Sequence, residues 1–471
     1  MKRMILSACV AGIVAYGGVV AYLAHFDHAT APVLVAGAAT QGDPTALAAF
    51  NVIREARCDY CHAAKTDLPF YFRLPVARQL MTRDLDEGLR HFRIEPVIAS
   101  FRQGTVPDEE QLARIEEVIR QNRMPPTLYL LMHWHAHLSG RQRDAMLAWI
   151  AQVRRDHYAT PGVAPRFAAE PVQPIPETLP VDSRKVALGQ RLFFDKALSA
   201  NGQVSCASCH ALTHGGVDGL VTATGVFGQK GPINVPTVFD AAFSKSQFWN
   251  GRAATLADQA AGPVMNPKEM GSHDWAQVAA KLRTDPSYAV DFQAAFGRDA
   301  IDRPTITAAI AEYEKTLITP DSRFDQYLKG DDTALNDRER NGYALFKDVG
   351  CSGCHTGVAL GGQAYEAMGL EGDYFAGRGG ALTDADRGRF MVTHSPDDME
   401  RFKVPNLRNI ALTAPYFHDG SVKTLDDAVR QMARYQTPAH TLSDEDVADI
   451  VAFLRTLTGR YDGRTLADTT P

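Results

Sequence analysis

An all-α fold is what these 471 residues predict, and three observations predict it. Apolar residues recur at helical spacing behind recognisable N-caps. Sustained strand alternation is hard to find. A Cys-x-x-Cys-His motif occurs three times, at Cys58/Cys61/His62, Cys206/Cys209/His210 and Cys351/Cys354/His355. In that motif two thiols add to the vinyl groups of a haem and the adjacent imidazole reaches one axial face of the iron. With 7 cysteines and 15 histidines in the chain, chance yields far less than one match. The predicted architecture is therefore three c-type cytochrome domains with long loops around three covalently bound haems, behind an N-terminal transmembrane helix.

Zinc sites and thioredoxin-like redox pairs also use Cys-x-x-Cys. A zinc site would want its pairs close together, whereas these motifs start at 58, 206 and 351, almost evenly apart. Six of the seven cysteines are consumed by haem attachment, and the seventh, Cys9, lies in the apolar N-terminal stretch, so no disulfide framework remains. Composition is ordinary for a globular chain, 45% hydrophobic and 22% charged, and long enough for three domains of about 100–150 residues. A net charge of −6 without a long basic run speaks against nucleic acid as a partner.

After Met1-Lys2-Arg3 the chain runs uncharged from Met4 to Ala24. At about 1.5 Å per residue that stretch spans a bilayer core of about 30 Å. Positive residues precede it, which places the N-terminus in the cytoplasm and the body outside. A cleavable signal would have a shorter apolar core, and its small-residue site Ala29-Thr30-Ala31 is followed by Pro32, which hinders cleavage. Leu6-Ser7-Ala8-Cys9 resembles a lipoprotein box with almost no apolar segment before it. The expectation is an uncleaved single-pass anchor in the inner membrane with the catalytic domains in the periplasm.

The predicted organisation is an anchor at 1–26, a tether at 27–47, an N-terminal haem domain at 48–158, a Pro-rich linker at 159–180, and haem domains at 181–330 and 331–471. The last two share G-x-x-L-F-x-D, at Gly189 to Asp195 and Gly342 to Asp348, each just before a haem motif, so they look like duplicated folds. Ser443 with Asp446 three residues on reads as a helix start, followed by Val447, Ile450, Val451 and Leu454 and closed by Gly459. Ser139 to Tyr158 reads the same way, with Gln142 completing the box.

Sixth ligands decide what each haem does: His with Met suits electron transfer, and an open face admits peroxide. Met124, followed by Pro125 and Pro126, is the candidate opposite His62, with Met132, His133 and His135 as competitors. Met432 lies on a short helix opposite His355, where periodicity alone reads equally as packing. Between Thr213 and Phe248 there is no Met, only a Gly-rich loop around Gly225 to Pro232, as an accessible haem would require; His214 reads as a loop residue.

Several segments resemble the bacterial di-haem cytochrome c peroxidase family over roughly 180–461: Gly231 to Thr237, Gln247 to Arg252, Asp258-Gln259-Ala260, Asn266 to Met270, and Leu412 to Gly420. The extra N-terminal haem domain is like that of membrane-anchored three-haem quinol peroxidases. The resemblance implies a peroxidase reducing hydrogen peroxide to water at the His210 haem, with Glu269 and Gln259 lining its distal pocket. It also implies His355 with Met432 on the electron-transfer haem, Trp249 between those two haems, and Ca2+ at Asn234, Thr413 and Pro415. One departure stands out: many relatives carry a distal His where this chain has Val226, so the peroxide site looks pre-opened.

The implied donors are a membrane quinol or a small c-type cytochrome. A homodimer is left open, because soluble relatives are commonly dimers. Two other readings stand beside this one: a multihaem carrier with every iron six-coordinate, and a di-haem oxidase of protein side chains with Tyr435 rather than Met432 on iron.

Overall fold

The computed structural model describes residues 2–29, 35–297, 300–439 and 441–466, so part of the Ala29-Thr30-Ala31 site lies outside the described residues. The chain divides into two compact units, Met1–His157 and Tyr158–Pro471.

In the first unit the helix Lys2–Ala29 is apolar for most of its length and, by length and composition, can cross a membrane. Its last turns differ: Val20, Leu23 and Asp27 are buried against the haem domain. That domain is built from Pro44–Glu55, Pro75–His91, Glu95–Gln103, Glu109–Arg120 and Gly140–Val153. Ser139 and Gln142 form the predicted capping box of the last of these. Phe50, Phe101 and Trp149 meet in its core, the Phe101 and Trp149 rings 4.6 Å apart. Burying each such ring contributes about 1.5–3 kcal/mol. Just beyond the helix the fully buried Arg154 pairs with Glu109 and Glu116, which offsets the cost of desolvating its charge.

Two segments read from composition as spacers carry structure. Within 27–47, Asp27 lies in the last turn of the long helix, which ends at Ala29, and Ala38–Gly42 is a helical turn whose buried Thr40 donates to the Phe101 carbonyl at 2.6 Å. Within 159–180, Pro171 to Ile175 are buried, and the Gly357 nitrogen donates to the Pro171 carbonyl at 2.8 Å. Proline holds that segment extended, but extended backbone packs as well as it links.

The second unit shows the physical content of the repeat. Helix Ser183–Phe194 packs on Arg303–Glu314, and Asp337–Asp348 packs on Asp444–Arg455. At the first crossing a Cβ on Gly189 would lie 1.9 Å from the Ala309 carbonyl oxygen; at the second, one on Gly342 would lie 1.9 Å from that of Asp449. The shared glycine is thus a close-approach residue, and Phe193 and Phe346 beside it are buried. Helix Asp444–Arg455 carries the predicted Ser443/Asp446 box but stops four residues before Gly459. That glycine serves a different end, since a Cβ there would lie 1.9 Å from the Thr319 carbonyl oxygen. Strands among the described residues are two short antiparallel pairs, Tyr365–Ala367 with Arg401–Lys403 and Arg460–Tyr461 with Arg464–Thr465.

Candidate functional site

Each Cys-x-x-Cys-His motif ends in a histidine held the same way. The Nδ1 of His62 donates to the carbonyls of Gly88 and Phe92 (3.1 Å each), that of His210 to Gly216 (3.2 Å), and that of His355 to Leu360 (3.1 Å). Anchoring Nδ1 leaves Nε2 for a metal. Burial lowers the pKa of all three rings, that of His355 to about 4, so each is neutral and offers its lone pair. Burial also pushes the thiols of Cys58, Cys61 and Cys206 up to about 12 and Cys209 to about 11.

Zinc finds no support here. Among the described residues no Cys pair gathers the further ligands for a metal cluster; the one such grouping is Asp386, His418 and Asp419. There Arg378 already pairs with both carboxylates (2.7 and 2.8 Å) and His418 with Asp386 (2.8 Å).

In the second unit one continuous space of about 2380 Å3, partly open to solvent, is lined by Cys206, Cys209 and His210 and also by Cys351 and His355. Thiols and histidines of both motifs thus face one space, as two neighbouring haems would require. Its walls are mostly apolar, with a few buried ionisable groups. Burial raises the Glu314 carboxyl to about 8 and lowers the Lys403 ammonium to about 8. Lys403 donates to the Ser246 carbonyl at 3.0 Å. Paired thiols, a neutral histidine and an apolar slot are the donor set a covalently held haem requires.

The third motif departs from the expected pairing in one respect. Cys354, predicted to hold the haem together with Cys351, is not among the residues lining the cavity. The two turns also differ. Cys206 and Cys209 share one α-helical turn, and both line the cavity. Cys351–Gly353 is instead a tighter 3-10 turn, closed by the Cys354 nitrogen donating to the Cys351 carbonyl at 3.3 Å. Cys354 leaves that turn at φ −113°, well off the helical value of about −63°.

Glu269, Gln259 and Arg252 line the same cavity, and the Glu269 charge is near enough to Cys209 to add to the rise of its thiol pKa. Gln259 lies on helix Leu256–Met265, which Thr255 caps. Glu269 follows that helix in a turn, where Asn266 Nδ2 donates to its Oε1 at 2.6 Å. Burial raises the Glu269 pKa, while the Arg252 charge and the Asn266 hydrogen bond oppose the rise. Arg252, whose guanidinium lies 3.3 Å over the Phe248 ring, was not singled out by sequence reasoning, although it closes the segment that drew attention to Trp249. Val226 is buried yet is not among the residues lining the cavity. Its nitrogen donates to the Glu269 carbonyl at 2.8 Å, and Gly225 before it leaves no room for a Cβ, which would lie 2.2 Å from the Lys268 carbonyl oxygen. The loop is thereby pinned to the Glu269 turn. His214 lies outside the cavity lining.

Met432, from helix Leu425–Gln436, also lines the cavity, whereas Tyr435 is not among the lining residues and packs edge-on against Tyr374. Trp249 also lines the cavity; its Nε1 donates to the Asn234 carbonyl at 2.9 Å. Asn234, Thr413 and Pro415 line it too, and the Asn234 Nδ2 donates to the Leu220 and Val221 carbonyls at 2.9 and 3.3 Å.

In the first unit Met124 is half-buried. Its competitor His133 has both ring nitrogens engaged, Nε2 with the Tyr71 hydroxyl (2.9 Å) and Nδ1 with the Tyr129 carbonyl (3.1 Å). His135 Nε2 lies 3.3 Å from Asp27.

Known proteins resemble the chain along nearly its whole length. Residues 183–333 match the di-haem cytochrome c peroxidase family, 15–152 a haem-binding domain and 339–458 cytochrome c. Cytochrome c peroxidase Ccp of Escherichia coli K12 is 49% identical over 409 residues, covering 87% of each chain. Cytochrome c551 peroxidase of Pseudomonas aeruginosa is 44% identical over 61% of this chain and 84% of its own. Among solved structures, a MauG-like protein associated with microbial copper homeostasis superposes with a TM-score of 0.54 at 32% identity, over 61% of this chain and 95% of its own. The chain belongs to the bacterial di-haem cytochrome c peroxidase family, as a three-haem peroxidase with an additional N-terminal haem-binding domain.

Proposed function

We propose that this peroxidase reduces hydrogen peroxide to water at the His210 position, with electrons supplied through haems held by His62/Met124 and His355/Met432. One observation supports the division of labour: Glu269, Gln259 and Arg252 line the cavity that Cys206, Cys209 and His210 also line, while Val226 stands outside that lining. When bound, haem supplies one-electron transfer where Met is the sixth ligand and peroxide binding where that face is open.

The residues do the rest. Cys58 with Cys61, Cys206 with Cys209, and Cys351 with Cys354 would form the thioether bonds. Glu269 takes the proton from the near oxygen of peroxide and returns it to the far one, so that the O–O bond breaks with water as leaving group. Gln259 orients the peroxide by hydrogen bonding. Arg252 and Asn266 keep Glu269 ionised enough to accept that proton, against the effect of burial. Trp249 stands between the His210 and His355 positions as the electron path. Asn234, Thr413 and Pro415 hold Ca2+, a hard cation that favours such oxygen ligands. Tyr435, packed outside the cavity, favours a peroxidase over an oxidase of protein side chains.

The donor is a membrane quinol, and the Lys2–Ala29 helix is an uncleaved anchor that holds the haem domains at the periplasmic face of the inner membrane. Burial of Val20, Leu23 and Asp27 against the haem domain supports retention of that helix, because cleavage after it would remove part of the fold's interior. The ferric spectrum of the isolated enzyme tests the open site: one high-spin haem beside two low-spin ones is expected, and three low-spin haems would contradict it. Steady-state peroxide reduction with decylubiquinol against reduced cytochrome c tests the donor, with the quinol expected to be the faster.

A further inference from the structure

We infer that the buried cluster of Asp27, Tyr60, Tyr71, His133 and His135, where the apolar helix meets the N-terminal haem domain, is the site at which the quinol docks and gives up its protons. The inference rests on quinol being the donor, as proposed above.

Asp27 lies in the last turn of the one helix, among the described residues, that is long and apolar enough to cross a membrane, yet it is only 1% exposed. A carboxylate buried there is costly unless paired. The pairing is incomplete. Its Oδ1 accepts from the hydroxyls of Tyr60 (3.2 Å) and Tyr71 (3.4 Å), while its Oδ2 has no hydrogen-bond partner among the described residues. The Nε2 atoms of His135 and His133 stand 3.3 and 3.8 Å from that oxygen. Arg57, the adjacent cation, is turned toward Asp59 (3.1 Å) and the Tyr60 hydroxyl (2.7 Å). A buried carboxylate oxygen left open beside two imidazoles is suited to accept a hydroxyl from outside.

The cluster is tied to the first haem through the motif itself. Asp59 and Tyr60 are the two residues between Cys58 and Cys61, and both belong to the network. The other two motifs carry Ala207-Ser208 and Ser352-Gly353 in those places. Haem attachment alone therefore does not require a phenol and a carboxylate there.

An aromatic and apolar collar surrounds the cluster. Phe70 (45% exposed), Leu131 (53%) and Trp134 (58%) stay open to the surroundings, while Tyr16, Tyr22 and Phe26 of the helix meet Trp134 and Phe70 edge-on at 5.7, 6.1 and 5.0 Å. Rings of this kind settle at a membrane interface, where the head group of a bilayer quinol also lies.

The chemistry balances. A quinol oxidised to the quinone loses two electrons and two protons, which matches one peroxide reduced to two waters. The electrons leave singly for the haem attached beside Tyr60. Each proton goes from a quinol hydroxyl to Asp27 Oδ2, and then by way of the partly exposed His135 to water. Tyr60 and Tyr71 hold the carboxylate through its other oxygen, and His133 is bonded to the Tyr71 hydroxyl.

The test uses full-length holoenzyme in detergent, decylubiquinol as reductant, and the redox-inert quinol analogue 2-heptyl-4-hydroxyquinoline N-oxide, whose fluorescence is quenched near haem. Loss of one charge-assisted hydrogen bond is worth about 1.5–3 kcal/mol. Asp27→Asn and His135→Gln are therefore each expected to weaken analogue binding about tenfold or more. Each should lower the ratio of quinol-driven to ascorbate-driven haem reduction by a similar factor, with three haems per chain retained. If both variants bind the analogue and are reduced by quinol as the parent is, the site is misassigned while the quinol reading stands. If the parent itself neither binds the analogue nor accepts electrons from decylubiquinol, both fall. Should Asp27→Asn lose its haem, His135→Gln decides alone, because its side chain is partly exposed.

Discussion

The two halves of the second unit were built on one plan and diverged in their cavity lining. Gly189 and Gly342 sit at equivalent helix crossings, each facing a backbone carbonyl that leaves no room for a Cβ. His210 and His355 are both oriented through Nδ1 by a backbone carbonyl. In what they add to the shared cavity wall the likeness ends: the chain after the second haem motif contributes Glu269, Gln259 and Arg252, and the chain after the third contributes Met432. Helix packing and the hold on the motif histidine are thus common to the halves, and the remaining lining side chains differ, as the proposed division into a reactive haem and a relay requires.

The comparison breaks most directly at Glu269. Glu269→Gln keeps the shape and loses the proton acceptor, so kcat for peroxide should fall by about 10²–10⁴, with all three haems present by pyridine haemochrome. Normal turnover would mean that the difference between the linings is not catalytic. Met432→His tests the other half. Replacing thioether by imidazole should lower the midpoint potential of that haem by on the order of 100 mV, within the roughly 0.8 V that axial ligands span; redox titration reads it, and an unchanged potential removes Met432 from the iron.

The shared packing predicts equal rather than opposite effects. Gly189→Ala and Gly342→Ala should each destabilise by about 1–3 kcal/mol through overpacking, seen as similar falls in Tm; a cost at only one crossing would show that the duplication is not physical. The smallest effect concerns pH. Glu269 works ionised, and its raised pKa places the acidic limb of activity above the ordinary carboxylate range, with activity lost as pH falls through it. Because Arg252 holds that pKa down, Arg252→Gln should move the limb to higher pH, as a kcat–pH profile would show.

Legibility in the sequence followed locality. The haem motifs, the Ser139 and Ser443 capping boxes and the repeat each lie within a few residues of chain, so their chemistry could be read directly. Even there the motif did not specify its backbone: Cys206 to Cys209 is an α-turn, whereas Cys351–Gly353 is a 3-10 turn. Spacers were misread because composition reports flexibility and not contact: the Pro-rich Pro171 to Ile175 segment is buried against residues nearly two hundred positions away. Met432 and Tyr435 share one short helix, and spacing could not choose between them; the fold turned the first into the cavity and the second onto Tyr374.

The sequence by itself determined three haems, an all-α frame and an apolar N-terminal helix, because covalent attachment and helical periodicity are local properties. Only the tertiary structure decided that Arg252 stands beside Glu269, that the Val226 loop is tied to the Glu269 turn, and that Asp27, Tyr60, Tyr71 and His133 form one buried network. Those contacts join residues from about 17 to more than 100 positions apart, and no spacing rule reaches so far. Burial, which sets the proton affinities of these groups, exists only once the chain has folded.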